Sequence, residues 1–587
     1  MPHIELVPDR KLLKPNFDGY ILSLDPVPVL STDFSNTNGP HRVKPTDQQY
    51  SYYHSRLFSM QNHLVRDPWT NGQCYYIDVT GMVQRVSYDS MLGRMRPLVP
   101  VFKLTLVASD VGQDQVIANH RYNCSLVFPS EQLCLLSDGC GTVRVLGTGD
   151  RTTGREWKLQ STFKLLEHNL TGGVLPGGSV LLDGRLIVRN DQRSLHVVML
   201  QIDYQPAAKS KSLLHWFTLE QSVPSAWTLS VSRTLQSEGY PRYCVLDYHA
   251  TAILVACNEP FRFLHDSEHP VIMLKSQTMP SDTQDKPAWD QFPFRWTQTL
   301  EEVNVTFDKQ PDVQYRVMTE PSPPNSESCL KVFVNDVLVI DGSEFCSKID
   351  YERTVWAMDR RTLEITLQKQ ITGVEWPFLF PGGPEEAVSG GFDIHSQQSY
   401  MPPITNLSAP LESCDFEGEQ ETYYTLERLS CKDHAVTHAV SLGSRPPLFG
   451  VTLRAGLPAT FVVRHDVDAC LWQLLPVPVG TEDCRLQHAG TLHAFGYVQA
   501  SKRQQKYLGC SPDMGYAVIC ESHRGIYIYK SSYGASLRNR NGMQVAIGQH
   551  QFVSLKDTGE VLGISCEDKM LVLLTEKAIH VLQITTE

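Results

Sequence analysis

Two short stretches bring acids and imidazoles close enough together to do chemistry. His465-Asp466-Val467-Asp468 sets two carboxylates and an imidazole side by side. On a strand Asp466 and Asp468 would face the same way, about 7 Å apart, and could grip a hard cation. Such a site needs several more oxygens, so a hydrogen-bonded turn at a sheet edge is the plainer expectation. His265 and His269 bracket Asp266-Ser267-Glu268 in a loop ending at Pro270; a zinc ion there would need a third and a fourth ligand. Gly139-Cys140-Gly141 and Gly147-Thr148-Gly149 offer phosphate-loop spacing but sit between strand-like runs with no helix following, so no helix N-terminus would hold an anion. No G-x-x-x-x-G-K-[S/T], H-E-x-x-H or G-x-S-x-G motif occurs. The expectation is a chain with no catalytic residue, no cofactor and no metal.

Contact chemistry is better represented. Lys502-Arg503-Gln504-Gln505-Lys506, with Arg538 and Arg540 further on, is the densest basic feature. It reads as a solvated loop between strands, or as a patch for an acidic partner or for nuclear import centred on Lys502 and Arg503. Trp296 and Trp356 read as core residues. Trp376, before Pro377 and close to a Pro/Gly-rich stretch, reads as a surface aromatic suited to a protein contact.

The elements that must position these residues are strands. Runs of Val, Ile, Leu, Tyr and Thr recur between Gly, Asp, Asn and Pro. Residues 75–86, 134–146 and 179–188 each read as strand, turn, strand, the last two around Asp-Gly. The same texture returns in residues 517–529 and 561–582. Small antiparallel sheets repeated this way suit an irregular β-propeller; one or two β-sandwiches would give similar spacing. The chain has 587 residues, 41% of them apolar and 20% charged, with a net charge of −12. That is globular composition without the basic face that nucleic acid requires. Neither a signal-like segment nor a run long enough to cross a membrane occurs, and the 15 Cys form no C-x-x-C pair. The expectation is a soluble protein of the cytoplasm, with the nucleus as a second compartment, binding neither nucleic acid nor membrane.

Residues 290–380 stand apart. They carry 9 basic against 15 acidic residues, half of the excess negative charge. Their period-two runs (Val303, Val305, Phe307; Leu330, Val332, Val334; Leu363, Ile365, Leu367) mark half-buried strands of a compact antiparallel sandwich. Phe294-Arg295-Trp296-Thr297-Gln298-Thr299 with Glu302 to Phe307, Leu338 to Phe345, Ile349 to Trp356, and Leu363 to Lys369 with Glu375-Trp376-Pro377 resemble, in order, the CS domain of the NudC family. Leu136 to Gly139, Arg464 to Gln473 and Gly496 to Arg503 are also similar to a member of that family in which β-rich flanks surround the CS domain. Phe378 stands where family tails often carry a second Trp, and joins Trp376 as a candidate contact.

The resemblance implies a co-chaperone-like adaptor: a CS domain engaging a heat-shock protein 90 type chaperone, and flanks binding a client protein. A scaffold acting without chaperones is the alternative. The expected organisation is an all-β chain. Residues 1–285 and 414–587 would share one propeller, the CS sandwich at 290–380 would interrupt it, and 381–413 would be a Pro/Gly/Ser-rich linker. Two independent β-domains flanking the sandwich remain the competing arrangement.

Overall fold

The computed structural model describes residues 3–271, 294–380 and 422–585, apart from 36, 48, 90–92, 106–119, 166–177, 204–209, 224–225, 309–314, 321–328, 336, 342–344, 347–348, 359–361, 371, 373–375, 377–378, 479, 482, 503, 524, 532–535, 539–543 and 556–558. The polar stretch 275–291 and the 381–413 linker therefore lie outside the described residues. The chain divides into two compact units: Met1–Ile272 with Asp415–Glu587, and Met273–Cys414.

Local turn chemistry builds the first unit. Asp78 Oδ1 accepts hydrogen bonds from the amides of Thr80 and Met82 at 2.8 and 2.9 Å, which folds Gln73–Ile77 back onto Met82–Asp89. Asp138 does the same for Cys140 and Thr142, at 2.9 and 3.2 Å, with Gly139 and Gly141 at φ 80° and 88°. Asp247 holds the Thr251 amide at 2.7 Å before Ala252–Cys257. A carboxylate that binds amides two and four residues ahead closes the loop before any tertiary contact forms.

The hairpin expected at Asp183-Gly184 is absent. Val180–Arg189 is one continuous strand, and the turn comes after it at Asn190-Asp191, both with positive φ (47° and 65°). The dipeptide instead follows a register shift in that strand. A β-carbon on Gly184 would come within 2.7 Å of Leu135 Cδ1 on the neighbouring sheet, so the glycine permits a close approach rather than a turn.

Among the described residues the first unit holds seven sheets of four or more strands. Their innermost strands are Val65–Arg66, Ser125–Ser130, Val180–Arg189, Tyr243–Leu246, Phe449–Val451, Gln505–Cys510 and Val561–Glu567, and all seven line one axial cavity. This is a seven-bladed propeller. Two pairings exclude independent flanking domains. Val29–Asp33 adds to Ala578–Gln583 as the outer strand of the seventh blade. In the fourth blade, Ala252–Cys257 pairs with Tyr424–Ser430 from beyond the second unit.

Apolar clusters between blades supply most of the packing, and a fully buried ion pair pins the first two blades together. Arg151, in the second blade, grips Asp67 of the first through two bonds of 2.6 and 3.0 Å. Its remaining N–H groups go to Ser130 O and Thr148 Oγ1, and its guanidinium lies 4.8 Å from the Phe128 ring. Satisfying every donor is what makes so buried a charge tolerable.

The second unit is a two-sheet sandwich. One sheet runs Phe294–Gln298, Glu302–Asp308, Thr362–Lys369, Ile349–Met358; the other runs Tyr315–Glu320, Cys329–Val334, Val337–Asp341. Its core holds Trp296, Val303, Val305, Phe307, Leu363 and Ile365, the inward half of the period-two runs.

Asp67→Asn leaves Arg151 buried against a neutral partner, and is expected to cost about 3–5 kcal/mol; chemical denaturation of the full chain measures it. A second expectation concerns acid. Burial holds His215 down to about 4 and His196 down to about 3. Unfolded histidines take up protons near pH 6.5. Stability should therefore be complete above about pH 6.5 and fall as the pH drops from there toward 4, because only the unfolded chain binds protons in that window. Urea midpoints at pH 7, 6 and 5 read this out, and His215→Gln should flatten the slope.

Candidate functional site

The structure turns the acid–imidazole stretches into joints. His465 ends one strand and Asp468 begins the next, with Asp466 in the tight turn between them at φ 52°. The two carboxylates do not share a strand face, and the cation geometry is not formed. Asp468 Oδ1 accepts from the Ala494 amide at 2.6 Å. Asp266 receives Arg233 Nε at 2.9 Å, sits 3.0 Å from His434 Nε2, and accepts the amides of Glu268 and His269 at 2.8 and 3.2 Å. Burial alone would raise its carboxyl; the His434 contact, the two amides and the Arg233 charge together hold it below the usual carboxylate value. Among the described residues no group of three or more His, Cys, Asp or Glu is placed to hold a metal ion.

The tryptophans exchange the places expected of them. Trp376 is 3% exposed and packs in the sandwich core with Leu379 and Phe380. Gln298 clamps it: the Trp376 amide donates to Gln298 Oε1 at 2.7 Å and Gln298 Nε2 donates to Trp376 O at 2.9 Å. The Lys369 ammonium bonds the same Oε1 at 2.8 Å and lies 5.9 Å from the indole. The signal was legible in Trp376, Leu379 and Phe380, an apolar run too dense for a linker. Trp356, expected in the core, is 47% exposed. It lies on the strand Ile349–Met358, at the edge of its sheet, beside Val355 at 61% and Met358 at 39%. This strip was missed because period-two patterning identifies strands without showing which one ends the sheet.

Of the remaining candidates, Phe378 and Arg503 lie outside the described residues, as does Arg540. Lys502 is half-buried, its ammonium 4.1 Å from the Tyr527 ring centroid. Lys506 is not part of a solvated loop. It is buried in the strand Gln505–Cys510, bonded to Glu560 Oε1 at 2.8 Å and Val561 O at 2.7 Å.

The axial cavity measures about 490 Å3 and touches every blade, through Val65, Phe128, Arg185, Val245, Val451, Leu508 and Ile564. The loop between Phe449–Val451 and Thr460–His465 of the fifth blade reaches across it. Arg66 Nη1 of the first blade donates to Thr452 O at 3.2 Å, and Arg185 Nη1 of the third donates to Gly456 O at 2.8 Å.

The first unit is thus a propeller of antiparallel sheets interrupted inside one blade by a small sandwich, whose strand Ile349–Met358 is an edge with Val355 and Trp356 exposed. Residues 292–369 match the family model described as the CS domain, a co-chaperone-type module. The chain as a whole is similar to NudC domain-containing protein 1 of Mus musculus, 27% identical over 98% of both chains. The NudC resemblance read from the central block thus extends along both flanks. Among solved structures it is similar to the nuclear movement protein from E. cuniculi GB-M1 (20% identical, 15% of this chain and 96% of that chain, TM-score 0.12). It is also similar to the Cps50 (Swd1) β-propeller domain of Myceliophteria thermophila (8% identical, 89% of this chain and 97% of that chain, TM-score 0.34). The propeller rests on the strand order above and not on these likenesses. No helix among the described residues is long and apolar enough to cross a membrane.

Trp376→Ala should cost about 3–5 kcal/mol through the cavity it leaves, whereas Trp356→Ala should change stability by less than about 0.5 kcal/mol. Calorimetry of the two full-length variants distinguishes a core indole from a surface one.

Proposed function

We propose that this chain is a non-enzymatic adaptor of the co-chaperone type, cytoplasmic with access to the nucleus. Its CS domain engages a heat-shock protein 90 type chaperone and its propeller holds a client protein. One observation carries this reading: the exposed edge strand Ile349–Met358 with Val355, Trp356 and Met358 in solvent. An edge strand offers backbone donors and acceptors to an incoming segment, and native proteins normally blunt such edges. A half-exposed Trp flanked by aliphatic side chains is the composition of an interface hot spot. The acidic balance of residues 290–380 favours a basic surface opposite, with attraction that weakens in salt. The non-enzymatic reading is supported by the carboxylates of Asp266 and Asp468 being committed to holding turns and blades. A chaperone-independent scaffold would use the same strip and differ only in its partner.

The test is binding of the full chain to purified heat-shock protein 90 at low salt, with the double variant Val355→Ser, Trp356→Ser alongside. The expected result is saturable binding that the variant weakens at least tenfold with its melting temperature unchanged. Equal binding by the variant removes the edge strand from the interface. Absence of binding by the unaltered chain removes the chaperone and leaves the scaffold.

A further inference from the structure

The axial cavity carries a buried guanidinium, Arg185, that no acid among the described residues answers. Arg185 lies on the innermost strand of the third blade and is 8% exposed. Its only described hydrogen bond runs from Nη1 to Gly456 O at 2.8 Å, and its Nε has no partner. No carboxylate among the described residues lies within 4.0 Å of it. Three other buried guanidiniums have acids: Arg151 has Asp67, Arg233 has Asp266 and Arg428 has Asp247. Arg85 is buried with no acid among the described residues, but it is not on the cavity wall and its Nη1 donates to two carbonyls, Arg151 O at 2.8 Å and Thr152 O at 3.0 Å. Arg66, which also lines the cavity, has Glu567 at 3.1 Å. Asp183 shares the strand face of Arg185, but its oxygens are taken by backbone amides: Gly184 N at 2.9 Å and Leu246 N at 2.8 Å.

A guanidinium cannot shed its charge by titration as a buried Lys or His can. Removing it from water without a counter-charge is unfavourable, so buried charges are paired or hold ligands. The rest of the wall fits a small organic body. Val65, Leu182, Val245, Val451, Leu508 and Ile564 line the space, and about 490 Å3 is within the range of small-molecule sites. The wall is part apolar and part polar, and of its two guanidiniums Arg66 is held by Glu567 while Arg185 has no acid among the described residues. An organic acid with its carboxylate on Arg185 and its stem along the apolar strands suits that wall.

We propose that the propeller channel binds a small organic carboxylate, its acid group on Arg185 and its stem along the apolar strands. The loop carrying Thr452 and Gly456 then forms part of the site, because Arg185 holds both the ligand and the loop. This site is separate from the edge strand of the CS domain and does not depend on the adaptor reading.

The probe is hexanoate, titrated calorimetrically into the full chain, with hexanamide as the uncharged match and inorganic phosphate as an anion without a stem. The expected result is saturable hexanoate binding, at least tenfold weaker hexanamide binding, and phosphate no better than hexanamide. Arg185→Met should reduce hexanoate affinity at least tenfold, and Arg262→Met, on an outer strand, should leave it unchanged. If Arg185→Met fails to fold, Trp69, whose indole lines the same cavity, reports on the unaltered chain: its fluorescence should titrate with hexanoate and not with hexanamide. Equal binding of hexanoate and hexanamide, phosphate binding as tightly as hexanoate, or no saturable hexanoate binding overturns the proposal.

Discussion

Pairing of Val29–Asp33 with Ala578–Gln583 is the constraint on which the propeller depends. Five of the seven sheets could form from strands near one another in sequence or from the two sides of the insert, and the sixth adds Phe17–Leu22 to Gln544–Ser554. The seventh takes its outer strand from residues more than five hundred positions away. A ring closed in this way has no flat unpaired seam where its first and last blades meet. It also brings the innermost strands Val65–Arg66 and Val561–Glu567 together, where Arg66 and Glu567 form their ion pair at 3.1 Å. The axial cavity exists only because this closure completes its wall.

The second constraint is electrostatic. Apolar packing between blades is non-directional and would tolerate small slips in angle. A bidentate Arg–Asp pair does not: Arg151 and Asp67 meet only when the first two blades are in register. The same argument separates Arg185 from the rest. Arg66 and Arg151, which fix blades, are answered by acids, whereas Arg185 on the channel wall is answered among the described residues by a carbonyl.

Much of this was legible in the sequence, and the failures have physical causes. Asp78 and Asp138 announce their turns because a carboxylate binding the next amides is a local interaction. Asp183-Gly184 is the same dipeptide chemistry put to a different use: Gly184 makes room for Leu135, a residue almost fifty positions away. Local reading cannot tell these apart. The period-two runs placed Val303, Val305 and Phe307 in the sandwich core correctly, whereas indole size placed Trp356 inside and the neighbouring Pro377 and linker placed Trp376 outside, and the structure reverses both. Burial of an indole is decided by what lies across from it. Gln298 reaching from the first strand to hold the backbone of Trp376 is a tertiary event with no periodic trace. Arg185, in a run that reads as any other strand, left no signal at all.

The point at which the sandwich enters the ring follows from the same physics. The insert leaves from inside the fourth blade, so Ala252–Cys257 must find Tyr424–Ser430 across a long excursion. Loop-closure entropy grows only logarithmically, about 0.6 kcal/mol per doubling of length, so the detour costs a few kcal/mol against a short hairpin. A buried ion pair and a histidine–carboxylate contact span this interruption. Arg428 reaches back 181 positions to Asp247 at 2.9 Å, and His434 reaches back 168 to Asp266, which Arg233 already holds. Asp266 itself lies on the strand Arg262–Asp266, which pairs with the third blade before the chain departs. The departing strand is therefore fixed to one blade by its backbone, and the returning hairpin to the same carboxylate by His434. With both sides of the excursion anchored, a folded module can occupy it without loosening the ring.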